Sequence, residues 1–251
     1  MQLGQRSIPR ARPRFAFLAA VALGLCVLAL PATAGRETCL GERATIVGRG
    51  GAERLEGTRG DDVIDGREGA DYILGRGGDD LICGGAGGDH LDAGGGRDRL
   101  SGERGDDSFV GGHGTQMMSG KGGNDTFFPS GGIGGRLIGG AGRDWLAFSD
   151  RDCARGVTVD LTDDRISYSA CAGGWSRGRW TVRGIERVDG SRGGDLLVGS
   201  SRRNLLLGQD GKDVLRGRAG GDRLHGGDGR DRARGGPGVD RCLAVENRSS
   251  C

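Results

Sequence analysis

The sequence predicts an all-β chain: a parallel β-roll, or β-solenoid, built from nonapeptide repeats of the form G-G-x-G-x-D-x-U-x, where U is a large apolar residue. Three observations predict it. A nine-residue period runs from Gly48, glycine holds the fourth position of almost every copy, and an apolar residue stays in phase at the eighth. Clean copies are Gly75 to Cys83, Gly84 to Asp92 and Gly102 to Val110. Composition alone points elsewhere. With 56 Gly, 4% aromatic and 35% hydrophobic residues the chain reads as flexible and low in complexity. Collagen is excluded, because the glycines lack a period of three and there are only 5 Pro. Flexible sequence has no reason to keep an apolar side chain in phase, so periodicity decides.

In chain order, residues 1–34 are expected to be a signal peptide. Arg6, Arg10, Arg12 and Arg14 precede an apolar stretch from Phe15 to Leu30, and Ala32-Thr33-Ala34 supplies a small-x-small cleavage pattern. The apolar stretch is short for a membrane span, and no stable span is expected after cleavage, which makes the mature chain secreted or extracellular. Residues 35–47 read as an N-terminal cap, 48–147 as a first repeat block and 148–189 as a strand-containing insert. Residues 190–243 read as a second block and 244–251 as a C-terminal tail. Removing the leader takes four arginines and no acid, so a net charge of +2 becomes −2. No basic excess points to nucleic acid as a partner.

Aligned by the acidic position, the first block carries Glu53, Asp62, Asp71, Asp80, Asp89, Asp98, Asp107, Gln116, Asp125, Arg136 and Asp144. The second carries Asp195, Asn204, Asp213, Asp222, Asp231 and Asp240. The apolar eighth position runs from Leu55 and Ile64 to Ile138, Leu146 and Leu197 and ends at Cys242. The phase slips by one residue between Asp125 and Asp144, and a bulge is expected near Pro129 to Gly135. Within the insert, Gly156 to Leu161 and Trp180 to Val188 alternate like strands, so the solenoid is expected to continue through it. Trp175 and Trp180 read as packing residues, with glycan stacking as the weaker reading.

Six glycine-rich residues can turn the chain, and x-U-x forms a short strand. Two nonapeptides then complete one coil, so side chains 18 residues apart stack about 4.8 Å from one another. Asp62, Asp80 and Asp98 fall along one edge, and Asp71, Asp89, Asp107 and Asp125 along the other. In the second block Asp195, Asp213 and Asp231 share an edge, with Asp222 and Asp240 opposite. Stacked carboxylates repel unless a cation sits among them. A hard cation taking about six to eight oxygen ligands, backbone carbonyls included, suits this set; Ca2+ fits, several ions per chain. No Cys or His is in phase, which disfavours softer metals. Two apolar side chains per coil are too few to offset the ordering of 18 residues, so the calcium-free repeats are expected to be largely disordered.

Six cysteines follow the leader: Cys39, Cys83, Cys153, Cys171, Cys242 and Cys251. Six allow 15 pairings. Closeness in sequence favours Cys153–Cys171 and Cys242–Cys251, which leaves Cys39–Cys83. Zinc is disfavoured by the lack of C-x-x-C pairs.

These blocks resemble the repeats-in-toxin, or haemolysin-type, calcium-binding repeats, whose nonapeptide is itself a known calcium-binding β-helix signature. The resemblance implies that the turn aspartates (Asp62, Asp71, Asp80, Asp89, Asp98, Asp107, Asp125, Asp144, Asp195, Asp213, Asp222, Asp231 and Asp240) and carbonyls of the glycine turns ligate calcium between coils. The chain departs from the family in its N-terminal leader and six cysteines, and in Glu53, Gln116, Arg136 and Asn204 at acidic positions. Arg136 is expected to abolish its site. The chain is not expected to be an enzyme: there is no H-E-x-x-H and no G-x-S-x-G, and His90, His113 and His225 all fall within repeats. The reading is a secreted, non-catalytic calcium-ion-binding protein. The alternative is a surface-associated adhesive module with an extracellular or cell-surface partner, in which calcium is purely structural.

Overall fold

The computed structural model describes residues 37–129, 134–148, 156–162, 165–168 and 179–251. Of the two compact units into which the chain divides, Met1–Gly35 lies outside these residues, as do Trp175 and the expected Cys153–Cys171 pair. The described part is all strands and turns, wound as a parallel β-solenoid with two facing sheets, one of 14 strands and one of 10. Within each sheet the register advances by one coil. Ile64 pairs with Ile82 and Leu100 with Met118 in the long sheet; Leu91 pairs with Phe109 and Leu206 with Leu224 in the short one.

The strands are short because the repeat dictates it. In strand Val63–Asp65 only Ile64 is fully buried, and its two neighbours are half-exposed. The eighth-position residues of both sheets meet in one continuous core, from Ile64 and Ile73 to Ala233 and Cys242, with Leu55 packed against its end. Phe109 and Phe127 stack within it, ring centroids 4.7 Å apart.

Two expectations are corrected. Met118 pairs with Leu137, so Leu137 and not Ile138 takes the eighth position, and Gly135 rather than Arg136 stands at the acidic one. Leu137 is fully buried while Arg136 is exposed. The extra residue therefore falls between Phe128 and Gly134, because Val110 still pairs with Phe128 at the regular coil spacing whereas Thr115 with Gly134 and Thr126 with Trp145 are one residue longer. His113 opens strand His113–Gly122.

Through the interval 148–189 the two sheets differ. The short sheet bridges it with one strand, Arg187–Asp189, paired parallel to Trp145–Ala147 and to Leu205–Gly211. The long sheet inserts Arg179–Arg183, then Arg165–Tyr168 running antiparallel to both neighbours, then Val157–Asp160. A cleft of about 210 Å³ opens there, lined by Leu161, Val182, Glu186 and Arg202 among others.

At the ends, a Cys39–Cys83 disulfide ties the hairpin Thr38–Cys39/Glu42–Arg43 to the roll, and Cys242–Cys251 closes the C-terminus. Strand Asn247–Ser249 pairs with Arg232–Arg234 as a last rung.

Candidate metal centre

Asp and U, two residues apart on a strand, both face the interior, so each coil sets a carboxylate beside an apolar side chain. The aspartates form rows along the inner edges. On the short-sheet edge, the backbone N–H of Glu53 donates to Asp71 Oδ1, Asp71 to Asp89, Asp89 to Asp107, Asp107 to Asp125 and Asp125 to Asp144, all at 2.8–3.0 Å. Asp144 N–H then donates to Glu186 Oε2 at 3.0 Å. Further on, Asn204 donates to Asp222 and Asp222 to Asp240, both at 2.8 Å. On the long-sheet edge Asp62 donates to Asp80 and Asp80 to Asp98; past the insert Asp195 donates to Asp213 and Asp213 to Asp231. Glu246 accepts from Asp231 and ends that row. All thirteen expected aspartates thus stand in the rows. Each bond is charge-assisted, which suits a buried carboxylate.

Apart from Asp62, each of these aspartates uses Oδ1 to accept a backbone N–H of the preceding coil or neighbouring strand, Asp195 from Val157 at 2.6 Å; the other oxygen divides the turns into two classes. Oδ2 of Asp71, Asp80, Asp89, Asp98, Asp107, Asp125, Asp144, Asp213, Asp222, Asp231 and Asp240 is buried with no hydrogen-bond partner among the described residues. In these eleven turns the residue four before the aspartate has positive φ: Arg67, Arg76, Gly85, Gly94, Glu103, Lys121, Gly140, Gln209, Arg218, Gly227 and Gly236. In the turns of Asp62, Asp195 and Asn204 that residue is not left-handed and its N–H serves the side chain at the acidic position. Thr58 N–H donates to Asp62 Oδ2 at 2.6 Å, Ser191 N–H to Asp195 Oδ2 at 2.7 Å, and Ser200 N–H to Asn204 Oδ1 at 2.7 Å. Thr58 and Ser191 hydroxyls add a second bond at 2.9 Å. Oδ2 of Asp62 and of Asp195, the first aspartates of their rows, is therefore already taken from within the turn.

The free oxygens point at carbonyls. A Cβ built on Gly75 would lie 2.5 Å from both Asp80 Oδ2 and the Ala93 carbonyl, so the missing side chain leaves a cradle of hard oxygens. Among the described residues no three His, Cys, Asp or Glu side chains converge as a metal-holding group. An ion in these turns would combine a carboxylate with backbone carbonyls, as Ca2+ accepts and softer metals do not favour.

Burial raises ten of these carboxylates above their ordinary 3.8, outweighing the backbone N–H that each accepts. Asp80, Asp107 and Asp213 reach about 7, and Asp89, Asp98, Asp125 and Asp144 about 6. Asp71, Asp195 and Asp222 are raised for the same reason. A buried row that resists ionisation is a row suited to a cation.

Glu186 and Glu246 belong to the rows yet escaped the repeat count. Glu186 lies 42 residues after Asp144, off phase with the first block, but nine before Asp195 and two before the buried Val188. Extending the second block backwards by one period would have found it. Glu246 is out of phase on both counts. The long-sheet row, by contrast, is broken: after Asp98 come Gln116, Gly135 and Trp180, and the row resumes at Asp195 beyond Val157. Trp180 is 1% exposed, so it packs, as expected.

Fold and site together define a parallel β-roll whose inner edges carry carboxylate ladders facing glycine-turn carbonyls. The RTX calcium-binding nonapeptide repeat matches it in four copies, at residues 47–82, 84–115, 189–224 and 216–244. The chain belongs to this repeat family. Asp125 and Asp144 lie between the matched stretches, and the short-sheet ladder runs through both. No curated protein matches the chain. No helix among the described residues is long and apolar enough to cross a membrane.

Proposed function

We propose that the chain is an exported, non-catalytic calcium-ion-binding protein whose β-roll forms around several Ca2+ held in its glycine–aspartate turns. The observation that carries this reading is the set of eleven buried Oδ2 atoms without a partner. An unpaired buried carboxylate oxygen is costly, and a divalent cation removes that cost while cancelling repulsion along the row. The eleven turns with a left-handed second residue are the binding turns; Asp62 and Asp195 contribute less, their Oδ2 being taken. Export rests on the leader at 1–34, with 35–47 as cap, 48–147 and 190–243 as binding blocks, 148–189 as the connecting insert and 244–251 as tail.

Calorimetric titration of the mature chain with Ca2+, paired with circular dichroism in chelator, tests this. We expect several ions bound and a β signal that is largely lost without calcium and regained at about 0.1–1 mM. Asp107→Asn keeps an acceptor for Asp89 N–H but loses the second anionic oxygen, so fewer ions should bind at undiminished β signal. An unchanged β signal in chelator together with no calcium uptake would falsify the proposal.

A further inference from the structure

The last coils carry several arginines that have no ion-pair partner among the described residues, although Arg202 pairs with Glu186. From 202 to 248 the chain has eleven Lys and Arg and seven Asp and Glu. Of those acids Asp213, Asp222, Asp231 and Asp240 belong to the inner rows and Glu246 ends one, which leaves Asp210 and Asp228 on the outside. On the outer face of the long sheet, exposed Arg216 pairs in register with exposed Arg234, and Arg232 lies on the same strand as Arg234. On the opposite outer face exposed Arg223 pairs in register with exposed Arg241. Neighbours in these rows stand about 4.8 Å apart, a spacing at which like charges repel. None of the five forms an ion pair among the described residues. The first coils differ: Arg54 and Arg76 pair with Glu56, and Arg67 with Glu37.

We propose that the outer faces of the C-terminal block bind a linear acidic polysaccharide. Rows that repeat along the solenoid axis suit an extended chain bearing an anion on successive units, rather than a compact ligand. The guanidinium fork matches carboxylate and sulfate in a bidentate manner, which a lysine row would not. A nucleic acid fits less well, since no Phe, Tyr or Trp occurs from 196 to 251 to stack a base. Calcium strengthens the surface from within: loading the rows cancels the inner carboxylates and leaves the arginines as the dominant field of these coils. The inference rests on the calcium reading for the folded state of the block.

Binding of the calcium-loaded mature chain to immobilised heparin tests it, with neutral dextran, duplex and single-stranded DNA and phosphatidylserine vesicles as competing probes. Heparin should bind in a salt-sensitive manner and dextran should not. Arg216→Glu with Arg234→Glu, and separately Arg223→Glu with Arg241→Glu, should each weaken binding by roughly tenfold or more. The first-block control, Arg99→Glu with Arg136→Glu, should retain it. Calcium uptake and β signal are read on every sample, so a pair that fails to fold is set aside and the other pair decides. Uptake of calcium without heparin binding, equal losses in control and test pairs, or preference for DNA or vesicles overturns the inference alone. Absence of calcium uptake overturns the reading beneath it.

Discussion

At the residue scale the turn chemistry decides which carboxylates stay free. A left-handed residue four before the aspartate turns its N–H away from the carboxylate, whereas Thr58 and Ser191, not left-handed, donate to it. Six of the left-handed residues are not glycine, Arg76 at φ 73° among them, and each accepts the steric cost of that conformation. Thr58→Gly should therefore release Asp62 and raise the calcium stoichiometry measured by titration; an unchanged stoichiometry would refute this account of the two turn classes. A second expectation follows from the raised carboxylates. In the metal-free roll burial lifts Asp80 and Asp107 to about 7, while the unfolded chain titrates near the ordinary 3.8. Between those values the folded form holds more protons, so its stability is greatest at acid pH and falls as pH rises through about 6–7. Metal-stripped protein should gain β signal as pH is lowered from 7.5 to 5, and calcium should bind more weakly over the same interval because protons compete. Circular dichroism and calorimetry at stepped pH check both; a β signal that stays flat with pH contradicts the linkage.

At the element scale the insert is the informative stretch. Its strands were legible from alternation, but an antiparallel strand at Arg165–Tyr168 was not, because local pattern does not name a strand's partner. The consequence is asymmetric. Glu186 carries the short-sheet ladder from Asp144 across the insert, while the long-sheet row is plugged by apolar Trp180 and Val157. Trp180 fits because Gly135 lacks a side chain, whose Cβ would stand 2.8 Å from the ring. Trp180→Ala should cost about 3–5 kcal/mol in calcium-loaded protein, measured by denaturant titration. Loss of much less would mean that the plug packs loosely. The one-residue slip was likewise legible as a slip, yet Leu137 and Ile138 are adjacent and both apolar, so only the pairing with Met118 assigns the inward one.

For the molecule as a whole, stability is additive along the axis, since each coil stacks only on its neighbours. Such a structure frays from its ends, and both ends are secured covalently. Cys39–Cys83 closes 44 residues and holds the first hairpin on the roll. Cys83→Ser with Cys39→Ser should lower stability by about 4 kcal/mol in the presence of calcium and raise hydrogen exchange first in the N-terminal coils. Uniform exchange along the roll would show that unfolding is global rather than end-led. The surface charge is a whole-molecule property in the same sense: a near-balanced count hides the ion pairs of Arg54, Arg67 and Arg76 in the first coils and the unpaired arginine rows of the last among the described residues.

Sequence by itself determined the nine-residue coil, the thirteen aspartates that stand in rows and nearly all of the core, because a strict period places every copy in the same environment. Of the three expected disulfides, Cys242–Cys251, favoured by closeness in sequence, and Cys39–Cys83, left by elimination, are both present. Tertiary structure alone decided which carboxylates remain free, how the rows cross or break at the insert, and that Glu186 and Glu246 join them. These depend on φ at one turn residue and on which strands meet across tens of residues. A local period does not encode either.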